Sequence, residues 1–166
     1  MKKIILLYVT FFIVFVATAP VVAAGCRLQG SWMGFDDNGV PTWVAGIHGQ
    51  SASHGTNELE YPAFTISTGV VDGTQMRGSW ERRGGNMFAY TMLGYGYDAF
   101  GTPVYINKIN GTLTLSEDCN TAAVTADINI YICDEPSPAI CPDPFTDTPD
   151  DEPPFPTTYA IRVMVE

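Results

Sequence analysis

Two histidines and two serines are the first residues whose types could support catalysis. His48 and His54 are the only histidines, and Ser51, Ser53 and Glu58 would add the hydroxyl and carboxylate of a Ser–His–acid arrangement. No Gly-x-Ser-x-Gly motif surrounds either serine, and the histidines are not spaced as the i, i+4 pair of a helical metal site. Because a motif without its structural context is weak evidence for a catalytic or metal site, we interpret both histidines as solvated loop residues. We therefore predict no catalytic residue and no metal site here.

A second group with chemical potential is the acidic run near the C-terminus. Residues 134–156 contain eight of the twelve prolines and seven acids with no base. Proline cannot donate a hydrogen bond to a sheet, so this segment is predicted to be a long loop before the last strand. Its carboxylates could collect Ca²⁺, but they lack the ordered spacing of a calcium loop and are interpreted as solvated. These carboxylates belong to Asp143, Asp147, Asp150, Asp151 and Glu152.

Aromatic and polar side chains in two later stretches suggest a binding pocket. Tyrosines cluster between Met87 and Tyr105, and Asp127 lies on the polar face of an alternating strand. Such side chains can line the lumen of a barrel and orient a ligand, or they can be ordinary cross-strand partners and solvent-facing groups. The candidate ligand-binding residues are Tyr90, Tyr95, Tyr97, Tyr105, Asp127, Asn129 and Tyr131.

The first 24 residues predict export. Lys2 and Lys3 precede an apolar run from Ile4 to Ala19, and small residues follow Pro20. This is the pattern of a secretory signal peptide over 1–24, with an uncleaved membrane anchor as the alternative. The chain is expected in the periplasm or outside the cell. Because Ala23-Ala24-Gly25-Cys26 resembles a lipobox, a lipid anchor on Cys26 stays open as a second route to the envelope.

Charge excludes several partners. Residues 25–166 carry 6 basic and 18 acidic side chains, a net charge of −12. Nucleic acid and anionic membrane surfaces would be repelled, so membrane attachment is expected only if Cys26 is lipidated. Charged residues make up 16% of the chain, beside 16 glycines and 12 prolines, which argues against a helical bundle. The composition leaves the oligomeric state open and implies no cofactor.

Four cysteines in an exported chain favour two disulfides, for which three connectivities exist. Cys133 and Cys141 lie close in sequence around two prolines, so a local bridge is the natural pairing. Cys26 would then pair with Cys119, whereas acylation of Cys26 would leave Cys119 unpaired.

Apolar residues alternate with a period of two along most of residues 25–166, which predicts a single all-β domain without a long helix. Short turns at Asp37-Asn38-Gly39, Gly84-Gly85-Asn86 and Asn110-Gly111 predict an antiparallel meander, and residues 48–57 are expected to be a loop. About eight to nine strands at this spacing favour a closed barrel, with a two-sheet sandwich as the alternative. Strands are predicted near 27–34, 40–47, 62–68, 75–83, 88–93, 102–108, 111–117, 124–132 and 159–165.

Gly30 and Trp32 on the first strand, with Arg162 on the last, form a pattern that resembles the lipocalin or calycin barrels. That resemblance implies that the glycine permits a tight bend, that the tryptophan closes the barrel floor, and that the arginine packs across its ring. The stretch from Arg77-Gly78-Ser79-Trp80 to Gly111-Thr112-Leu113-Thr114 also resembles a loose group of exported, uncharacterised bacterial proteins with lipocalin-like barrels. This second likeness implies a fold and a compartment but no activity.

Three functions follow as hypotheses. The first is a non-enzymatic barrel that binds a small apolar or aromatic ligand, since a barrel of this size can hold one small molecule. The second is a structural or interaction protein of the cell envelope with a filled barrel. The third is an isomerase- or cyclase-type enzyme, which would need an enclosed acid such as Asp127 with a raised pKa.

Overall fold

The computed structural model describes residues 25–60, 72–134 and 140–163. The predicted signal peptide at 1–24 and the predicted strand at 62–68 lie outside these residues. The described part of the chain contains strands and turns and no helix, as the alternating pattern predicts. The strands are β1 (Gly30–Phe35), β2 (Pro41–Gly49), β3 (His54–Glu60), β4 (Asp72–Gly73), β5 (Met76–Gly84), β6 (Met87–Tyr97), β7 (Pro103–Leu115), β8 (Thr121–Ile132) and β9 (Tyr159–Arg162).

The strands close into an eight-stranded antiparallel barrel. Each long strand pairs with the next one along the chain, and β9 returns to pair with β1. The two-residue β4 pairs with the C-terminal end of β6, beside the position where β5 begins. An antiparallel meander can close on itself only with an even number of strands in the ring, because the first and last strands must run in opposite directions. The predicted closed barrel is confirmed, and the sandwich alternative is wrong.

Two element predictions are wrong. Residues 48–57 are not all loop, because β2 runs to Gly49 and β3 begins at His54. Asn110 and Gly111 do not form a turn, because they lie in the middle of the 13-residue strand β7. A Cβ atom on Gly111 would lie 2.4 Å from the Thr125 carbonyl oxygen and 2.6 Å from the Tyr90 hydroxyl. The glycine therefore serves a close approach of neighbouring groups, a role that a local pattern does not distinguish from a turn.

Inward-facing side chains form one continuous core. In β7 and β8, cross-strand partners such as Ile109 and Ile128 both face the lumen and are almost fully buried. Rings and long side chains fill the space that inward glycines leave. The Tyr105 ring occupies the position of a Cβ on Gly96, with a closest approach of 2.0 Å. The largest fully buried side chains are Trp32, Phe88, Leu28, Leu59, Ile109, Ile128 and Ile130.

Trp32 and Arg162 close one end of the barrel. The Trp32 indole is 1% exposed and donates a hydrogen bond to the Leu28 carbonyl at 2.8 Å. The Arg162 guanidinium lies 4.4 Å from the ring centroid of Trp32, an arrangement that favours a cation over an aromatic face. Gly30 has a φ of 136°, and a Cβ there would lie 2.7 Å from a guanidinium nitrogen of Arg162. This geometry of Gly30, Trp32 and Arg162 agrees with the arrangement that the lipocalin resemblance implies.

A second arginine at the same end was not predicted. Arg82 lies 4.5 Å from the ring centroid of Phe88 and donates hydrogen bonds to the carbonyls of Ala52, Gly85 and Cys26. Arg162 binds the carbonyls of Arg27, Gln29 and Cys119 in the same way. Two arginines thus hold the segment before β1 against the closed end. Their side chains donate hydrogen bonds to backbone carbonyls of this segment that do not pair with a strand.

Both predicted disulfides are present. Cys26 pairs with Cys119 across 93 residues, and Cys133 pairs with Cys141 across 8. Cys119 adopts a left-handed φ of 63° in the β7–β8 turn, which places its sulfur toward the N-terminal segment. The long-range bridge therefore joins the start of the domain to a late hairpin at the closed end.

The first prediction concerns the closed end. Trp32→Ala should lower the free energy of unfolding by about 3–5 kcal/mol, because it removes a buried ring and leaves a cavity. Urea unfolding followed by fluorescence measures this loss. Phe100→Ala is the matched control, since Phe100 is 92% exposed. Equal unfolding midpoints for both variants would contradict the assignment of Trp32 as the barrel floor.

The second prediction compares the disulfides. A bridge stabilises mainly by restricting the unfolded chain, and the effect grows with the loop that it closes. Replacing Cys26 and Cys119 by serine should cost about 4–5 kcal/mol, and replacing Cys133 and Cys141 about 2–3 kcal/mol. Urea midpoints of the two double variants give the order, and the reverse order would refute the argument.

Candidate functional site

Among the described residues, the barrel interior contains three buried polar atoms that have no hydrogen-bond partner. They are the side-chain oxygens of Asn57 and Asn107 and the indole nitrogen of Trp43. Each asparagine is 4% exposed, and Trp43 is 6% exposed. An unpaired buried acceptor costs about 1–3 kcal/mol, so such groups call for an explanation. These atoms are the strongest pointers to function in the part of the chain that the structure describes.

Asn107 lies in the half of the lumen opposite the Trp32 floor. It faces inward from β7, between Tyr105 and Ile109 along the strand, and pairs with Gly94 and Ile130 across it. Gly94 carries no side chain, and the position that its Cβ would take is 2.8 Å from a side-chain carbon of Met76. The Asn107 side chain therefore has Tyr105, Ile109 and Ile130 beside it along and across the strands, and the Thr74 hydroxyl lies 3.6 Å from the same Cβ position of Gly94. Asn57 faces inward from β3, between Ile47 and Gly78, nearer the floor.

The four candidate tyrosines of β6 and β7, out of five in all, divide between the two faces of the wall. Tyr90 and Tyr105 face inward and are each 6% exposed. Tyr95 and Tyr97 face outward from β6, with ring centroids 6.3 Å apart, and Tyr95 is 42% exposed. The first pair therefore lies in the lumen, and the second pair does not. A strand alternates its faces, so residues at odd and even positions of β6 cannot share the lumen.

Asp127, Asn129 and Tyr131 also lie on the outer face and do not line the lumen, so the solvent-facing alternative describes Asp127. Their neighbours Ile128 and Ile130 are each 1% exposed and occupy the inward positions of β8. Asp127 is exposed to solvent, whereas Tyr131 is nearly fully buried although it faces outward. The burial of Tyr131 requires a cover on the outside of the barrel.

That cover is the acidic, proline-rich segment, and residues 140–158 are called the strap here. The Pro144 carbonyl accepts hydrogen bonds from Lys108 Nζ at 2.6 Å and from the Tyr131 hydroxyl at 3.1 Å. The Lys108 ammonium also lies 4.8 Å from the ring centroid of Phe145. Further along, backbone hydrogen bonds join Ile130 to residues 150 and 151. The predicted loop is thus docked along β7 and β8 rather than extended into solvent.

Several strap carboxylates serve as local caps. Asp143 and Asp147 accept backbone hydrogen bonds within one turn, and an Asp150 oxygen accepts the Ile132 N–H at 2.7 Å. Within the described residues, no three His, Cys, Asp or Glu side chains are grouped to hold a metal ion. Between the strap and the outer wall lies a groove of about 430 Å³, and Asp127, Asn129, Glu152 and Phe155 are among its lining residues.

The Ser–His group is part of a turn. The Ser51 hydroxyl lies 2.8 Å from His54 Nδ1 and accepts the backbone N–H groups of Ser53 and His54 at 3.1 and 3.2 Å. Such contacts hold a tight turn and occupy the hydroxyl lone pairs that a nucleophile would need. Glu58 lies 3.7 Å from Arg77 and is not part of this group. His54 borders a shallow external groove of about 350 Å³ over β3, β5 and β6.

Sequence reasoning missed Trp43, Asn57, Asn107 and Lys108. A signal for Asn107 exists, because Tyr105, Asn107 and Ile109 alternate with outward residues along one strand. The interpretation of Asn110-Gly111 as a turn hid that alternation. No local pattern indicates the role of Lys108, since its partner in the strap lies 36 residues away.

Comparison with protein-family models, curated proteins and solved structures gives no match. The likeness to lipocalin barrels therefore extends to an eight-stranded antiparallel barrel with a Gly-x-Trp and arginine closure, and no family is shown. Within the described residues, no helix is long and apolar enough to span a bilayer. The two disulfides are consistent with an oxidising, exported environment.

The third prediction follows from the buried tyrosines. Burial raises the pKa of Tyr105. Burial first, and then the negative charges of Glu152, Asp147 and Asp143, raise the pKa of Tyr131. A raised pKa in the folded state means that the stabilisation is complete below the unfolded value of about 10 and is lost as pH rises through the folded value.

Above about pH 10, the free energy of unfolding of the wild-type protein should therefore fall more steeply with pH than that of Tyr131→Phe, which lacks one of the two tyrosines. Urea midpoints across alkaline pH measure the slope, and ultraviolet absorbance counts the tyrosines that ionise late. Identical slopes for the two proteins would contradict the strap contact at Tyr131.

Proposed function

We propose that this protein is an exported, non-enzymatic binding barrel for a small, largely apolar ligand that carries one hydrogen-bond donor. The ligand occupies the lumen around Asn107, in the half opposite the Trp32 floor. One observation carries the proposal, namely a nearly fully buried amide oxygen that has no hydrogen-bond partner among the described residues. A ligand N–H or O–H would satisfy that oxygen and remove its desolvation cost. Tyr105 and Ile130 supply apolar contact beside it.

The chemistry of the wall supports this ligand class. Asn107 is a neutral group, and its neighbours Tyr105, Ile109 and Ile130 carry no charge, so the site suits an uncharged molecule that the Asn107 oxygen orients through a hydrogen bond. The net charge of −12 on residues 25–166 repels anions from the whole domain. A neutral aromatic or aliphatic molecule with one donor fits both conditions.

Binding is preferred to catalysis because of where the acid lies. The isomerase-type hypothesis needs an enclosed carboxylate with a raised pKa, and Asp127 was its candidate. Asp127 is exposed on the outer wall, away from the lumen. Export is supported by the N-terminal pattern of residues 1–24 and by two disulfides, which persist in oxidising compartments.

A second candidate function is a structural protein of the envelope with a filled barrel. Ring and side-chain atoms already occupy the space beside inward glycines, as Trp43 does at Gly34 and Tyr105 does at Gly96. Under this alternative the Asn107 oxygen is a residual cost of packing, and no ligand relieves it.

The fourth prediction separates these two functions. The protein is purified from its own cell envelope and its native mass is recorded. The proposal expects a bound small molecule in the wild type. Asn107→Leu, which removes the amide, should lose that molecule while its ligand-free stability changes by about 1–3 kcal/mol at most. Asn57→Leu is the matched control, because it removes an equally buried amide near the floor and should retain the ligand.

A bare wild-type protein, or equal retention by both variants, would refute the lumen site. The same mass also reports processing. Loss of residues 1–24 with four hydrogens missing indicates signal-peptide cleavage and two disulfides, and an added diacylglyceryl group indicates a lipid anchor on Cys26.

A further inference from the structure

The outer wall of the barrel has two chemically different sides. Across β2, β3, β5, β6, β7 and β8, one continuous row of directly paired outward residues is polar throughout. On the opposite side, where β2, β1 and β9 meet, the outward residues are mainly apolar. The polar row consists of His48, Thr56, Ser79, Thr91, Asn110 and Asp127. The apolar set, called the seam patch here, consists of Met33, Phe35, Val44, Tyr159, Ile161 and Val163.

Strand register makes the seam patch continuous. Met33 pairs with Val44 on one side and with Ile161 on the other, so three apolar side chains stand in one row across three strands. Phe35 stacks on Tyr159 in the next row, with centroids 5.2 Å apart. Val44 is 45% exposed, Ile161 40% and Val163 44%, so the patch faces solvent. The barrel does not need these side chains for its core, because Trp32 and Ala160 fill the inward positions of β1 and β9.

Charge around the patch selects the partner. Asp36 and Asp37 lie in the β1–β2 turn at one end, and Glu60 is paired with Val44 at the β3 side. Glu58 is partly neutralised by Arg77, at 3.7 Å. A second copy of this chain would bring the same carboxylates against each other, which opposes self-association through the patch. A partner with an apolar centre and a basic border would meet both features.

The size of the patch suits one secondary-structure element. Three strands spaced about 4.8 Å apart present a face roughly 10 Å wide, close to the diameter of an α-helix. Recognition of an amphipathic helix by its apolar stripe is a recurring mode of binding between a surface and a segment. We propose that the seam patch docks an amphipathic segment of a partner protein whose apolar stripe is bordered by Lys or Arg.

The fifth prediction tests this with two synthetic 18-residue helices, about five turns long, that share a leucine stripe and differ only in lysine or glutamate borders. The full mature protein should bind the lysine peptide at least tenfold more tightly by calorimetry, and added salt should weaken that binding. Amide exchange should slow in β1, β2 and β9. The double variant V44S/I161S should weaken binding at least tenfold, whereas F100S, at an exposed site outside the patch, should not.

The charge step has its own variant, which leaves the apolar patch intact. Glu60→Gln should lower affinity for the lysine peptide and reduce its salt dependence without altering the fold. The proposal would be overturned by equal binding of the two peptides or by slower amide exchange in the strap alone. It would also be overturned if the molecular mass doubled as the protein concentration rises. The last outcome would identify a second copy as the occupant of the patch.

Discussion

The contact between Arg162 and Trp32 is the interaction on which the rest of the barrel depends. It joins the last described strand to the first, at the point where the meander must close. β9 offers β1 only four residue pairs, so backbone hydrogen bonds alone hold this seam weakly. The guanidinium packs on the face of the Trp32 ring. It also donates three hydrogen bonds, to the carbonyls of Arg27, Gln29 and Cys119. Closure then removes the free sheet edges that would otherwise pair with other chains.

The shortness of β9 also determines the course of the strap. β8 has 12 residues and β9 has 4, so the part of β8 after Ala123 has no regular strand partner on the side of β9. The strap fills this position with isolated backbone bridges at Asp127 and Ile130, which its prolines permit because an edge position does not need every N–H. Lys108 and Tyr131 then fasten the strap to the wall. An outer position such as Tyr131 becomes as buried as the core.

This arrangement assigns different chemistry to different surfaces. The lumen is mainly apolar and also holds the amides of Asn57 and Asn107 and the rings of Tyr90 and Tyr105. One outward row from β2 to β8 is polar, and the outward residues at the seam of β2, β1 and β9 are mainly apolar. The half of the barrel at the Trp32 floor is filled by side chains. In the opposite half, the Asn107 oxygen can accept one directed hydrogen bond. The seam is an uncharged surface with an acidic border.

The sequence by itself determined the all-β class, the alternation of β8, the closure by Gly30, Trp32 and Arg162, and the disulfide pairing. The all-β class and the alternation of β8 depend on a period of two that any strand imposes. The disulfide pairing depends on the spacing of the cysteines, and the closure was implied by the resemblance to lipocalin barrels. Only the tertiary structure decided which face of a strand was covered, as at Asp127 and Tyr131, and whether Asn110-Gly111 bent or continued. Burial depends on what packs against a strand from distant parts of the chain. A local pattern distinguishes two faces, but it does not reveal that a strap will cover the outer one.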